Sequence, residues 1–109
     1  MATSKLFIDY VYQQLERFGE VRYQKMFGEY MVYVQERPIF IVCDNTVFVK
    51  MKDENRHLFP SIVPASPYPS AKPHYVVDTD DRDLLLELVS IMVPITPIPK
   101  SKNKKQSTL

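Results

Sequence analysis

The sequence is poor in the residue types that many metal, cofactor and phosphate sites require. It has one cysteine, Cys43, and two histidines that are far apart along the chain, so neither an intrachain disulfide nor a zinc-ligand spacing is present. Its two glycines, Gly19 and Gly28, cannot build a glycine-rich phosphate loop. We therefore expect no metal, no cofactor and no catalytic Cys–His pair, and we expect Cys43 to be a small buried apolar side chain.

Long apolar runs are missing as well. No stretch approaches the roughly 20 residues that cross a bilayer. The first eighteen residues interrupt their apolar pattern with four charged side chains, which is unlike a signal peptide: Lys5, Asp9, Glu16 and Arg17. A single cysteine is compatible with a reducing compartment. We expect no membrane association and a cytoplasmic location.

Charge is divided unequally along the chain. The last ten residues hold four of the 14 Lys and Arg and none of the 13 Asp and Glu, so residues 1–99 carry a net charge of −3. A mildly acidic body is not typical of a general nucleic-acid-binding surface. We predict one domain over residues 1–99 and a disordered basic tail over residues 100–109, which has few large apolar residues. The favoured role of the tail is that of a flexible, solubilising segment; the alternative is weak, salt-dependent contact of the tail with nucleic acid.

The first half of the chain reads as one helix and four strands. Phe7, Val11, Leu15 and Phe18 recur at helical spacing, and Gly19 follows them, so a helix is predicted over residues 4–18. Alternating or β-rich runs then predict strands separated by turn signals. These runs span residues 20–27, 30–34, 39–43 and 46–50, with turns at 35–37 and 44–45.

The second half contains a proline-rich stretch between a short helix and a final strand–helix pair. Residues 53–59 favour a short helix, and five of the nine prolines fall within residues 60–73, which predicts an ordered loop or extended edge. Residues 74–78 read as a strand. Aspartates that can cap a helix come next, and apolar spacing carries that last helix to about Val93.

This order predicts an α+β fold with two layers. We expect an antiparallel sheet with helices against one of its faces. The chain order is helix, three or four strands, short helix, one or two strands, and helix.

The stretch from Lys25 to Lys50, KMFGEYMVYVQERPIFIVCDNTVFVK, and the later PYPSAKP at 67–73 carry a family resemblance. They resemble the N-terminal domain of the TfoX (Sxy) competence regulators, over roughly residues 4–93. The resemblance implies helix, three strands, helix, two strands and helix in two layers. Longer members carry a second, helical domain and work with a cyclic-AMP-responsive transcription activator at promoters. The sequence given stops short of such a domain, and we expect only the first domain here.

Five residues are candidates for a binding site. Lys25, Glu29 and Tyr30 surround the first strand turn and could contact a ligand or partner; the alternative is a surface ion pair beside a turn glycine. Lys50 and Lys72 could join a cationic site for an anion or an acidic partner, or could simply be solvated.

The tyrosines of the strands and loop also have two interpretations: Tyr23, Tyr30, Tyr33, Tyr68 and Tyr75. They could stack on bases or form an interface, but packing in the core or at its rim is the favoured role.

The sequence thus predicts a non-enzymatic regulatory or protein-binding module, whose partner could be a transcription activator. The alternative is a small-ligand or anion-binding domain that uses Lys25, Lys50 and Lys72. A homodimer joined along the first strand is also open, because that strand is polar on both faces.

Overall fold

The computed structural model describes residues 3–26, 29–60, 64–68 and 70–99. Gly28 and the predicted tail at 100–109 lie outside these ranges. The described chain is an α+β fold, as predicted. Its elements are α1 (Lys5–Leu15), a 3₁₀ turn (Glu16–Phe18), β1 (Val21–Met26), β2 (Glu29–Val34), β3 (Arg37–Cys43), β4 (Thr46–Lys50), a second 3₁₀ turn (Asp53–Leu58), β5 (His74–Val77) and α2 (Arg82–Ile95).

The five strands form one antiparallel sheet in the order β1-β2-β3-β4-β5. Two tight turns connect β2 to β3 and β3 to β4. Each has positive φ at both central residues: 51° and 66° at Gln35 and Glu36, and 53° and 56° at Asp44 and Asn45. This pattern is that of the two-residue hairpin turns whose twist matches the strands.

The turn after β2 is shorter than the sequence suggests. The predicted turn at 35–37 has two residues, and Arg37 already pairs with Val34 in the sheet. Pro38 is therefore the second residue of β3. It lies beside an irregularity in the β2–β3 register and outside the part of β3 that pairs with β4, so its missing N–H costs no ladder bond there.

Both helices pack on one face of the sheet. Ser4 caps α1 by accepting from the Phe7 N–H, and Asp81 caps α2 by accepting from the Leu84 N–H. The helices contribute one continuous buried stripe each: Ile8, Val11 and Leu15 from α1, and Leu85, Leu88, Val89 and Met92 from α2. These side chains share a core with alternate residues of the strands.

The helix boundaries differ from the predicted ones by a few residues. The α-helical part of α1 ends at Leu15, and the 3₁₀ turn continues it to Phe18. Helix α2 runs to Ile95, past the predicted end at Val93, because Pro94 falls in the last turn, where few hydrogen bonds remain to be lost.

The described part of the proline-rich stretch is ordered against the sheet. Ala65 and His74 exchange two backbone hydrogen bonds, of 2.9 and 2.7 Å, so Ala65 extends the edge beside β5. Pro67 is buried. The loop prediction is confirmed for these residues, and the loop brings its side chains towards the sheet face that the helices leave free.

Candidate functional site

The sheet face opposite the helices, here called the outer face, carries an apolar band. The register pairs Met31 with Ile41, Ile41 with Phe48, and Phe48 with Val76. Directly paired residues point to the same side of an antiparallel sheet, so these four side chains form a row across four strands. Phe48 is buried, yet it lies outside the core cluster that joins helices and sheet.

An open cavity of about 370 Å³ lies at the β1 end of this band. We call it the outer groove. Its described lining is Met26, Glu29, Tyr30, Met31, Ile41 and Tyr68. Met26 is 36% exposed and Tyr68, from the proline-rich loop, is 40% exposed. The volume falls in the range of sites that hold a side chain or a small ligand.

Glu29 and Cys43 meet at the margin of the groove. The Cys43 thiol donates to Oε2 of Glu29 over 3.3 Å. Burial, with a smaller contribution from the hydrogen bond to Glu29, raises the pKa of Cys43 to about 11. The thiol is therefore neutral at pH 7 and is a poor nucleophile.

A second, smaller cavity of about 80 Å³ lies further along the same face. We call it the Lys50–His74 cavity, since these paired residues supply its polar groups. Met31, Pro38, Ile39 and Ile41 complete its described lining. Met31 and Ile41 also line the outer groove, so the two cavities are adjacent.

A family model described as the TfoX N-terminal domain matches residues 13–89. The chain belongs to the TfoX N-terminal domain family. An uncharacterized 12.7 kDa protein in the trpE 5′ region of Spirochaeta aurantia is 32% identical over 110 aligned positions, which cover 99% of this chain and 96% of that protein. Every described residue that lines the two cavities lies within the matched span.

In this TfoX N-terminal domain, the three residues predicted at the first strand turn do not form one site: Glu29 and Tyr30 both line the outer groove, and Lys25 does not. Lys25 pairs with Tyr30 on the helix-covered face, whereas Glu29 pairs with Met26 on the outer face. The alternative of a Lys25–Glu29 ion pair is therefore wrong, because period-two alternation sends the two side chains to opposite faces. Only Glu29 brings its charge to the outer groove.

Tyr30 belongs to an aromatic cluster between α1 and the sheet. Its ring meets Tyr23 edge-on at 5.4 Å, and Tyr23 meets Tyr12 in the same way at 6.2 Å. The Tyr23 hydroxyl donates to Asp9 over 3.2 Å, and burial is the main cause of its raised pKa. Tyr30 thus packs, as the favoured interpretation expects.

The other tyrosines of the TfoX domain follow the packing interpretation to different degrees. Tyr75 is buried and stacks on Phe59 at 4.4 Å between ring centroids. Tyr33 lies under the guanidinium of Arg22, 4.0 Å from the ring centroid. Tyr68 differs from them, since it is partly exposed and lines the outer groove.

The three lysines of the anion-binding alternative do not converge. Lys25 is on edge strand β1 and on the helix-covered face, three strands away from Lys50 on the outer face of β4. Lys50 and Lys72, in contrast, both lie next to His74. Lys50 pairs with it, and the Lys72 carbonyl is 2.7 Å from its Nδ1.

His74 is the functional candidate that sequence reasoning misses. As a lone histidine in a short strand it has no motif around it, and its partnership with Lys50 exists only through the β4–β5 register. The available signal was the strand alternation, which puts His74 and Val76 on the same face.

Metal-binding groups and membrane-spanning helices are both absent from the described ranges of the TfoX domain. These ranges contain no group of three or more His, Cys, Asp or Glu that could hold a metal ion. Among the described helices, none is both long and apolar enough to cross a bilayer.

Proposed function

We propose that this domain is a regulatory module that acts by binding a protein partner through the outer groove, and that it does not catalyse a reaction. The family supports a regulatory role. The observation that carries the proposal is an apolar groove on the helix-free face, open to solvent and lined by methionine and tyrosine.

The side chains of the groove suit a protein partner. Met26 and Met31 are flexible and polarisable, so they adapt to an inserted side chain, and Tyr68 offers a large surface at low conformational cost. Glu29 adds a carboxylate at the margin. The best-matched partner segment has an apolar anchor residue next to a lysine or arginine.

The state of Cys43 supports a non-enzymatic role. This thiol borders the groove through Glu29 and is the strongest candidate nucleophile there, yet burial holds it neutral.

We propose the cyclic-AMP-responsive transcription activator as the partner, by extension from the longer regulators that this domain resembles. That role requires the protein to work in the cytoplasm, where promoters are. The test measures binding of the purified activator, with cyclic AMP, to the full chain by isothermal titration calorimetry.

Met26→Lys and Tyr68→Lys place a charge in the groove and should weaken binding about tenfold or more. Leu86→Lys is the matched control, because Leu86 is 49% exposed on α2, on the opposite side of the sheet. No saturable binding by the unmodified protein, or an equal loss in the control, contradicts the proposal.

A further inference from the structure

His74 combines deep burial with an unused ring nitrogen. The residue is only 7% exposed. Its Nδ1 lies 2.7 Å from the Lys72 carbonyl, which can only accept, so Nδ1 carries a proton. Within the described ranges, the buried Nε2 has no hydrogen-bond partner. A buried polar atom without a partner costs free energy, and such atoms are uncommon unless a ligand or water meets them.

The surroundings of His74 favour an anion. Lys50, its pair on β4, lines the same cavity and brings a positive charge. Pro38 of the cavity wall follows the turn between β2 and β3. The acid of the neighbouring turn, Glu36, is already engaged by Arg22 at 3.1 Å.

We propose that the Lys50–His74 cavity binds a carboxylate group. One carboxylate oxygen accepts from the Lys50 ammonium and the other accepts from Nε2–H of the His74 ring in its form protonated at both nitrogens. The remaining walls are apolar and pack against the carbon chain of the ligand. A volume of about 80 Å³ suits a group of acetate size.

Such a carboxylate has two sources, a free small acid or the acidic side chain of a bound protein. The chemistry of recognition is the same for both. The inference does not depend on the outer groove, because the residues that hold the charge, Lys50 and His74, line only the smaller cavity.

The test uses the two histidines of the chain as probe and control. Sodium acetate is titrated into the full-length protein at about pH 6, where an ordinary imidazole is largely protonated, and sodium chloride is the salt control. The ring resonances of both histidines are followed by NMR. His74 should shift saturably with acetate and not with chloride, while the exposed His57 should shift equally with both salts.

Lys50→Met should weaken acetate binding about tenfold or more, since it removes a charge-assisted hydrogen bond. Lys25→Met is the matched control, because it removes the same charge from the other face of the sheet. Both variants keep His74 itself, so its ring resonances can be followed in both.

A parallel titration uses glutamate blocked at both backbone termini. Tighter binding of acetate identifies a free acid as the source, and tighter binding of the blocked glutamate identifies a protein side chain. A His74 shift that does not saturate, that chloride reproduces, or that persists unchanged in Lys50→Met overturns the proposal.

Discussion

At the scale of single residues, Cys43 shows how burial determines the protonation state of a side chain. The sequence places it at the end of an apolar run, and the structure buries it there with its thiol on Glu29. In the unfolded chain the thiol ionises near pH 8.5. Folding raises its pKa to about 11, so the folded state resists ionisation between these two values.

The raised pKa of Cys43 makes the folded protein less stable as the pH rises. Below about pH 8.5 the thiol is neutral in both states and its contribution to stability is complete; that contribution is lost as the pH rises towards the folded pKa. By pH 10 the free energy of unfolding should fall about 1–2 kcal/mol more in the natural protein than in Cys43→Ser. The serine keeps a donor for Glu29 and does not ionise in this range.

Urea unfolding of both proteins at pH 7 and at about pH 10 measures this difference, and comparing the two cancels the titration of the shared tyrosines and lysines. Parallel curves for the two proteins would show that burial does not hold the thiol neutral.

At the scale of elements, the sequence predicted one hairpin turn better than the other. Asp44 and Asn45 tolerate positive φ, so their residue types identified the turn between β3 and β4. Gln35 and Glu36 rarely adopt positive φ, and the turn they form was predicted one residue too long. The β-sheet imposes this conformation, which residue preference alone could not reveal.

The two turns should respond in opposite ways to the residues that such turns prefer. Replacing Gln35–Glu36 by Asn–Gly removes left-handed strain worth about 1 kcal/mol per residue, against a lost surface ion pair with Arg22 of about 0.5 kcal/mol. A net gain of about 1.5 kcal/mol in unfolding free energy is expected.

Asn45→Gly is the matched change in the other turn and should cost about 1 kcal/mol. Its Oδ1 accepts from the Ser4 N–H over 2.9 Å, so Asn45 ties the start of α1 to the sheet. Urea unfolding of the two variants distinguishes them. Destabilisation by Asn–Gly at residues 35–36 would contradict the strain argument.

The candidate site could be predicted only in part for a similar reason, because it depends on how the strands pair. Alternation within each strand can be read from the sequence, and it supports the two-layer fold. Register between strands cannot. Together with alternation, it separates Lys25 from Glu29, and it brings Lys50 beside His74. The outer groove also depends on Tyr68, which lies in the proline-rich loop. The prolines of this loop predict that it is ordered, but they do not predict where it packs.

At the scale of the whole molecule, edge strand β1 is the part of the sheet through which two copies could associate. Ala65 extends the edge beside β5, while β1 is hydrogen-bonded to β2 alone among the described strands. Exposed strand edges invite pairing with another chain, and β1 carries the polar residues on which the homodimer hypothesis rests.

Charge on β1 opposes that pairing. Val21–Met26 carries two positive charges, Arg22 and Lys25, and no negative one, so two copies of β1 brought edge to edge place like charges close together. Like charges close to one another across paired strands are destabilising, by up to about 1 kcal/mol a pair. The salt bridge from Arg22 to Glu36 reduces this repulsion only in part, since both side chains are half-exposed.

We therefore expect the natural protein to be a monomer by light scattering at high concentration. Lys25→Glu leaves each β1 with no net charge and should shift the equilibrium towards a dimer, as raised salt should do for the natural protein by screening the repulsion. Lys52→Glu makes the same charge change outside the sheet and should stay monomeric. A natural protein that is already dimeric, with Lys25→Glu weakening it, would show that the copies associate through a different surface or register.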